Sequence, residues 1–421
     1  MGRLAREAGR FCIDIVTNLA GETSGTMPGV DDVRRILLAQ GLRAFGYGLG
    51  AVLLGASLEA AGRTPGEVGL LLAALVAGSA LASLAVAALG DRWGRRSWYM
   101  GLFLALAVAG GVFGLSDDLW LLALVGLTGA VSTEVVESGP FTSLEQSMLS
   151  ARLDGSGRTR AFGAYNAVAT VAGSVGALAA GGPGLLGATW ELDRTAVLVL
   201  VPIGLAGAAL AWSLSARVEE AQVRGARRNP LSRSRHRVLG LSGLFALDSF
   251  GGGFVVQTYV AYWFSLRFGA SLETLGVVFF AVGILQSVSF LVATRIADRI
   301  GLLNTMIFTH LPSNLLLAAI PLAPSFPLAV GLLLGRFALS QMDVPTRQAY
   351  VMALVGPQER TAAAAYTNTA RYLVRPLGPV VAGVLQQVAL GLPFFLAGGI
   401  KAVYDLALWA WFRRVPIDEQ R

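Results

Sequence analysis

Long apolar runs recur along the chain, separated by short polar segments rich in arginine and glycine. A helix that crosses a bilayer needs about 20 mostly apolar residues. "LLLAALVAGSALASLAVAAL" (70–89) and "AVLVLVPIGLAGAALAWSL" (196–214) each supply such a run. The pattern predicts twelve spans, near 34–60, 67–89, 97–115, 118–150, 159–181, 193–216, 237–266, 272–296, 304–322, 327–354, 361–388 and 392–412. A polar, arginine-rich linker at 217–236 leaves six on each side. The expected fold is an all-α membrane protein with two six-helix halves, 34–216 and 237–412, flanked by an arm (1–33) and a tail (413–421).

Basic loops resist translocation, so arginine placement sets orientation. Arg92, Arg95 and Arg96, then Arg152, Arg158 and Arg160, the linker, and Arg413 and Arg414 all fall on one side of a twelve-span chain. That side is assigned to the cytoplasm, with both termini in it, and the expected location is the plasma membrane. The arm lacks the unbroken apolar core of a signal peptide, because Asp14 interrupts it. Leu4, Ala8, Phe11, Cys12, Ile15, Val16 and Leu19 fall at helical spacing, which fits an amphipathic helix on the cytoplasmic surface; a polar arm is the alternative.

Composition agrees with the pattern. Of 421 residues, 54% are apolar and only 14% charged, which excludes an ordinary soluble enzyme. The net charge of +7 is accounted for by loop arginines, with no basic stripe and interleaved aromatics to suggest a nucleic-acid partner. Cys12 is the only cysteine, so no internal disulfide is possible. His236 and His310 with one cysteine make no metal-ligand spacing, and "GYGLG" (46–50) follows no strand, so neither a metal nor a dinucleotide cofactor is expected.

The two halves repeat. Asp298 of "ADRIGLL" lies 207 residues after Asp91 of "GDRWGRR". Pro345 of "MDVPTRQAYVMAL" lies 205 after Pro140 of "ESGPFTSLEQSML", and "RTAAAAYTN" (360–368) lies 202 after "RTRAFGAYN" (158–166). Six plus six spans, a basic linker and "GDRWGRR" after the second span resemble the major facilitator superfamily, whose signature loop reads G-x-x-x-D-R-x-G-R-R. The first copy matches its Asp91, Arg92, Gly94, Arg95, Arg96 core; the second keeps Asp298, Arg299 and Gly301. The resemblance implies a transporter that works by alternating access on a solute near the membrane midplane, and a latch at this loop. In physical terms the glycine permits a close turn, Asp91 can cap a helix, and the arginines can pair with carboxylates on neighbouring helix ends.

An ionised side chain at the bilayer centre costs roughly 3 kcal/mol, so such groups survive by pairing or by facing water. Arg43, Glu134, Glu137, Asp248, Arg336, Asp343, Arg347, Arg371 and Arg375 all fall inside predicted spans. Arg336, Asp343 and Arg347 share one helical face, with Asp343 and Arg347 one turn apart; Arg371 and Arg375 share another. Arg43, Arg336, Arg371 and Arg375 are the candidate contacts for an anionic or strongly polar substrate, because arginine keeps its charge and offers several donors. Glu134, Glu137, Asp248 and Asp343 are the candidate proton carriers, with permanent ion pairing the alternative for each.

Pro345 has no N–H for the carbonyl of Gln341, and Pro140 none for Val136, so both spans are expected to bend, either as a gate or as a fixed kink. Glu145 is expected to pair with Arg95, Arg96 or Arg160, and His310 to be a packed helix residue rather than a relay. "VRPLGPVVAG" (374–383) resembles an antiporter element of the family, but it falls in the eleventh span instead of the fifth, so it reads as close packing with a kink. "STEVVESGP" (132–140) lacks the arginine that drug antiporters of the family carry in their fourth helix. The expected function is secondary transport of a small organic, possibly anionic, solute by a monomer, with proton-coupled efflux first and proton-coupled uptake of an organic anion second. A non-transporting receptor on the same fold is the third reading.

Overall fold

The computed structural model describes residues 30–132, 139–150, 155–186, 194–219, 234–356 and 359–415. All regular structure among them is helical. In chain order the helices are α1 (Val30–Ala60), α2 (Pro65–Trp93), α3 (Arg95–Leu115), α4 (Leu119–Gly126), α5 (Pro140–Ser150), α6 (Gly155–Ala180) and α7 (Leu200–Trp212). They continue with α8 (Arg235–Gly253), α9 (Gln257–Phe268), α10 (Leu272–Ile300), α11 (Leu302–Ala319), α12 (Phe326–Ser340) and α13 (Asp343–Leu354). The last are α14 (Arg360–Val374), α15 (Leu377–Val388) and α16 (Leu392–Phe412).

Eight stretches among the described residues are long and apolar enough to cross a membrane: Asp31–Ala60, Pro65–Val86, Arg95–Leu115, Thr195–Trp212, Arg235–Phe268, Leu272–Ile300, Leu302–Leu322 and Leu392–Phe412. Helices α3, α4 and α7 expose Val108, Leu124 and Leu205 to 63%, 64% and 54%. Such side chains are a liability in water and the expected outer face in lipid. This is a multi-pass membrane protein.

The chain divides into two compact units. One is Met1–Gly62, Ala74–Gln222 and Phe264–Gly283; the other is Arg63–Ala73, Val223–Trp263 and Ile284–Arg421. Within the first, α1 packs chiefly on α6, and α3 on α7; within the second, α8 packs on α14 and α15, and α11 on α16. Small residues make the close approaches. A Cβ on Gly48 of α1 would fall 1.9 Å from the Gly173 carbonyl oxygen of α6. A Cβ on Gly253 of α8 would fall 2.4 Å from the Arg375 carbonyl oxygen and 3.1 Å from the Gly378 Cα. Gly253 and Gly378 each lie 205 residues beyond Gly48 and Gly173, so the repeat extends to the packing inside each unit.

The signature turns repeat as well. Gly94 and Gly301 cap the starts of α3 and α11 with φ of 82° and 83°, a left-handed conformation that costs a side-chain-bearing residue about 1 kcal/mol or more. Both copies keep this glycine although Leu302 and Leu303 replace the two final arginines in the second. Arg96 donates to the Trp212 carbonyl at the C-terminus of α7 and stacks over the Trp212 ring at 5.1 Å. One of its partners is thus a helix end carrying partial negative charge. Asp298 and Arg299 are exposed, and the side chains of Asp91 and Arg92 lie outside the described set.

Four predicted spans are broken. The fourth stops at Gly126 and resumes at Pro140, which is the first residue of α5; its predicted effect on Val136 lies outside the described residues. The tenth does not bend around Pro345. It ends at Ser340, and a new helix starts at Asp343, so Pro345 occupies the first turn, where a missing N–H costs little. The seventh breaks at 254–256 and the eleventh at Arg375 and Pro376. Two of the three breaks in the second unit fall beside a charged residue, Asp343 at the tenth and Arg375 at the eleventh.

Candidate functional site

Four helices of the second unit bring charged side chains together in its interior. Helix α8 supplies Asp248, α11 His310 and Asn314, α13 Asp343 and Arg347, and α16 Lys401 and Asp405. All are buried, none more than 7% exposed. Asp248 is the hub. Its Oδ1 accepts from Lys401 Nζ at 2.5 Å and lies 3.8 Å from His310 Nε2, and its Oδ2 accepts from Arg347 Nη1 at 3.4 Å. The same Arg347 Nη1 donates to Asp343 Oδ2 at 2.9 Å, the one-turn pair that spacing predicts. Asp405 Oδ1 meets His310 Nδ1 at 2.8 Å, and its Oδ2 accepts from Asn314 Nδ2 at 2.8 Å.

Arg371 on α14 also acts on Asp248 electrostatically. The cluster therefore holds three carboxylates against three fixed cations, Arg347, Lys401 and Arg371, and protonation of His310 sets its net charge. Buried pairs of this kind are held by mutual compensation; removing one partner leaves a desolvated charge.

Beside the cluster lies a cavity of about 70 Å³. Arg347 and Arg371 supply charge to its wall, Thr367, Asn368 and Gln348 supply hydrogen-bonding groups, and Phe245 and Val351 supply apolar surface. The wall thus offers an incoming group both cationic and hydrogen-bonding partners. Arg347 belongs to both the cavity wall and the acidic cluster.

The first unit has a simpler polar core. Arg43 Nη2 donates to Glu145 Oε2 at 2.7 Å, and Tyr99 and Tyr165 hydroxyls donate to Glu145 at 2.8 and 2.6 Å. The Arg43 guanidinium lies over the Phe141 ring at 4.9 Å and the Tyr47 ring at 5.3 Å. Glu145, expected to pair with Arg95, Arg96 or Arg160, faces inward and holds Arg43; the side chain of Arg160 lies outside the described residues. The sequence suggested loop partners because Glu145 sits near a span end, but the break before α5 turns that helix face into the unit.

The other candidates scatter. Arg336 is buried on α12 and stacks over Phe337 at 4.6 Å. Arg375 caps the end of α14, half-buried, and its carbonyl takes part in the Gly253 approach. Glu134 and Glu137 lie outside the described residues. His310, expected as simple packing, is a hydrogen-bonded member of the cluster. Lys401, Asp405 and Asn314 were not singled out by the sequence reading, although "KAVYD" and "HLPSN" each set two polar groups one turn apart in an apolar span. Among the described residues no group of three or more His, Cys, Asp or Glu is placed to hold a metal ion.

Comparison with known proteins agrees with this architecture. Residues 36–379 match the family model described as Major Facilitator Superfamily. An uncharacterized membrane protein of Saccharomyces cerevisiae is 24% identical over 420 residues, covering 90% of this chain and 94% of that protein. Among solved structures, the nucleoside transporter NupG aligns with a TM-score of 0.72 at 13% identity, covering 90% of this chain and all of that one. The xylose transporter XylE from E. coli aligns at 0.67 and 13%, covering 92% and 98%. A bacterial homolog of the human lysosomal transporter Spinster, inward-facing and occupied, aligns at 0.65 and 16%, covering 92% and 96%. At these identities the structural likeness is one of fold. With the family model spanning most of its length, the chain belongs to the Major Facilitator Superfamily, a family of membrane transporters.

Proposed function

We propose that this protein is a secondary transporter that moves a small organic anion together with a proton by alternating access, with both termini in the cytoplasm. The observation that carries the reading is the double duty of Arg347, which lines the cavity and also holds Asp343 and Asp248. An anion drawn to Arg347 and Arg371 competes with those carboxylates for the guanidinium. A carboxylate that loses its cation inside a membrane favours a proton bound on it or on a group beside it. Anion and proton therefore favour each other's binding, and by reciprocity the coupling runs equally both ways.

That sign separates the two proton-coupled alternatives. Ligands that reinforce each other travel together, which supports cotransport. Exchange of an outgoing solute for an incoming proton requires competition, and a cationic solute drawn to Asp343 or Asp248 would supply it. The geometry favours the first, because the groups on the cavity wall are the arginines rather than the acids.

Thermal stabilisation of the purified protein tests this linkage. A panel of small carboxylates, phosphate esters, neutral polyols and organic cations is scanned at about pH 6 and pH 8, with Arg347→Gln and Arg371→Gln alongside. An anion should raise the melting temperature of the native protein, more strongly at the lower pH, since a ligand stabilises by its occupancy of the folded state. Either substitution should weaken that effect about tenfold or more in apparent affinity. Stabilisation by cations alone, strengthening as pH rises, would overturn the reading in favour of exchange.

A further inference from the structure

The two units are built on one plan but differ at one place. In the first, a Cβ on Gly204 of α7 would fall 2.6 Å from Phe103 and Ala107 backbone atoms of α3; in the second, a Cβ on Gly398 of α16 would fall 2.6 Å from the Asn314 carbonyl oxygen of α11. Asn314 lies 207 residues after Ala107, the offset of the signature loops, so Gly204 and Gly398 are equivalent. Three and seven residues beyond them stand Gly207 and Ala211 in the first unit, and Lys401 and Asp405 in the second. The counterpart of His310 is Phe103, whose ring occupies the space over Gly207. One unit thus fills this helix–helix seam with an aromatic ring and small residues. The other fills it with a histidine, an amide, an acid and a lysine, which packing alone does not require.

The hydrogen-bond chemistry of that seam has two solutions. The Asn314 amide nitrogen only donates, and it lies 2.8 Å from Asp405 Oδ2 and 3.2 Å from His310 Nδ1. If Nδ1 carries a proton, it donates to an ionised Asp405. If Asp405 carries it, the acid donates to Nδ1, and Asn314 still donates to Asp405 Oδ2. On the other edge of the ring, Nε2 lies 3.8 Å from Asp248 Oδ1, too far for a hydrogen bond and close enough for an ion pair. A proton on Nε2 would make His310 a rival of Lys401 for that same oxygen.

We propose that His310, held between Asp405 and Asp248, is the proton-binding residue of this transporter, and that Asp405 and Asn314 position it. The proposal rests on the cotransport reading above and names the site at which the proton resides. The added proton comes from water and sits on Nε2, giving an imidazolium that donates through Nδ1 to Asp405 and faces Asp248 through Nε2. Asp248 then needs less of Arg347, whose Nη1 is left with Asp343 as the carboxylate an incoming anion must displace. The chain of action runs from His310 through Asp248 to Arg347 by direct contacts only.

The charged and titratable groups around the imidazole are few and identifiable. Asp405, Lys401 and the ring of Tyr404 face it from α16, Asp248 from α8, and Asp343 and Arg347 from α13. Helix α12 carries one charged residue, Arg336, which stacks on Phe337. The Tyr404 hydroxyl, buried within electrostatic range of Asp248, Asp343 and Asp405, has no hydrogen-bond partner among the described residues. It is a donor available to whichever carboxylate loses its cation.

The chain contains only two histidines, and the other, His236, is exposed at the start of α8. Nitrogen-15 labelling of histidine in a His236→Gln background therefore gives a signal from His310 alone, in lipid nanodiscs and without any solute. The expected result is a change in its protonation state between about pH 5 and pH 8, displaced by about one pH unit or more in Asp405→Asn. Asn314→Leu, which removes the amide without altering charge, should change the neutral tautomer and gives the same readout if Asp405→Asn does not fold. A His310 locked in one state across that range would overturn the proposal, as would a transition that neither variant alters. A protein that moves anions with protons while His310 stays locked keeps the transport reading and loses this site; a titrating His310 in a protein whose anions move without protons does the reverse.

Discussion

Glu145 has no exposed surface and accepts from one guanidinium and two phenols. Arg43, a candidate substrate contact by sequence, is here occupied by a carboxylate and two aromatic rings, so its role in this structure is to hold α1, α3, α5 and α6 in one geometry. Glu145→Gln should lower stability by roughly 3–5 kcal/mol, because Arg43 keeps its charge and loses its counter-ion. Adding Arg43→Met should restore a good part of that loss, a non-additivity that melting temperatures of the four proteins would reveal. Asp248 presents the opposite case, with three cationic groups disputing two oxygens. Intramembrane charge flagged Arg43, Asp248, Asp343 and Arg347 directly from the sequence. Partner choice was legible only for Asp343 and Arg347, which share a helix turn. Lys401 and Asp405 lie on the twelfth span and reach partners nearly a hundred residues or more away, a relation that side-chain periodicity along one helix does not encode.

At the scale of elements, apolar length located the helices and failed to find their interruptions. The break at 254–256 lies within an apolar stretch that runs on from Arg235 to Phe268. Proline marks two of the breaks in the second unit but not their geometry. Pro345 was expected to kink a continuous helix; it lies in the first turn of α13, with Asp343 at the helix start, where its charge complements the dipole. Pro345→Ala should therefore change stability by no more than about 1 kcal/mol. Gly253→Val is the contrasting substitution. Its side chain would meet the Arg375 backbone, which cannot yield as a flexible side chain would, and the expected cost is about 3 kcal/mol or more. Thermal melts of both variants separate a tolerated helix start from a required close approach. The repeat, read in sequence from three offsets, explains why the glycine pair of α1 and α6 returns in α8 and α15, and why a positive-φ glycine survives in both signature turns.

At the scale of the whole molecule, internal symmetry makes the asymmetry informative. The first unit closes its polar core with the direct Arg43 and Glu145 pair. The second keeps a network whose net charge depends on one histidine, next to a cavity that shares Arg347 with it. A duplicated fold in which one copy is locked and the other titrates is suited to coupling, because a proton then alters one half's internal bonds and leaves the other half as a frame. The central claim is that anion and proton move in the same direction. It is tested most directly in proteoliposomes that enclose a pH-sensitive dye, by imposing an inward gradient of a stabilising anion with no initial pH difference. The account predicts acidification of the interior that requires the anion and is lost in Arg347→Gln and Asp248→Asn. Alkalinisation driven by the anion, or anion entry with no pH change, would contradict it.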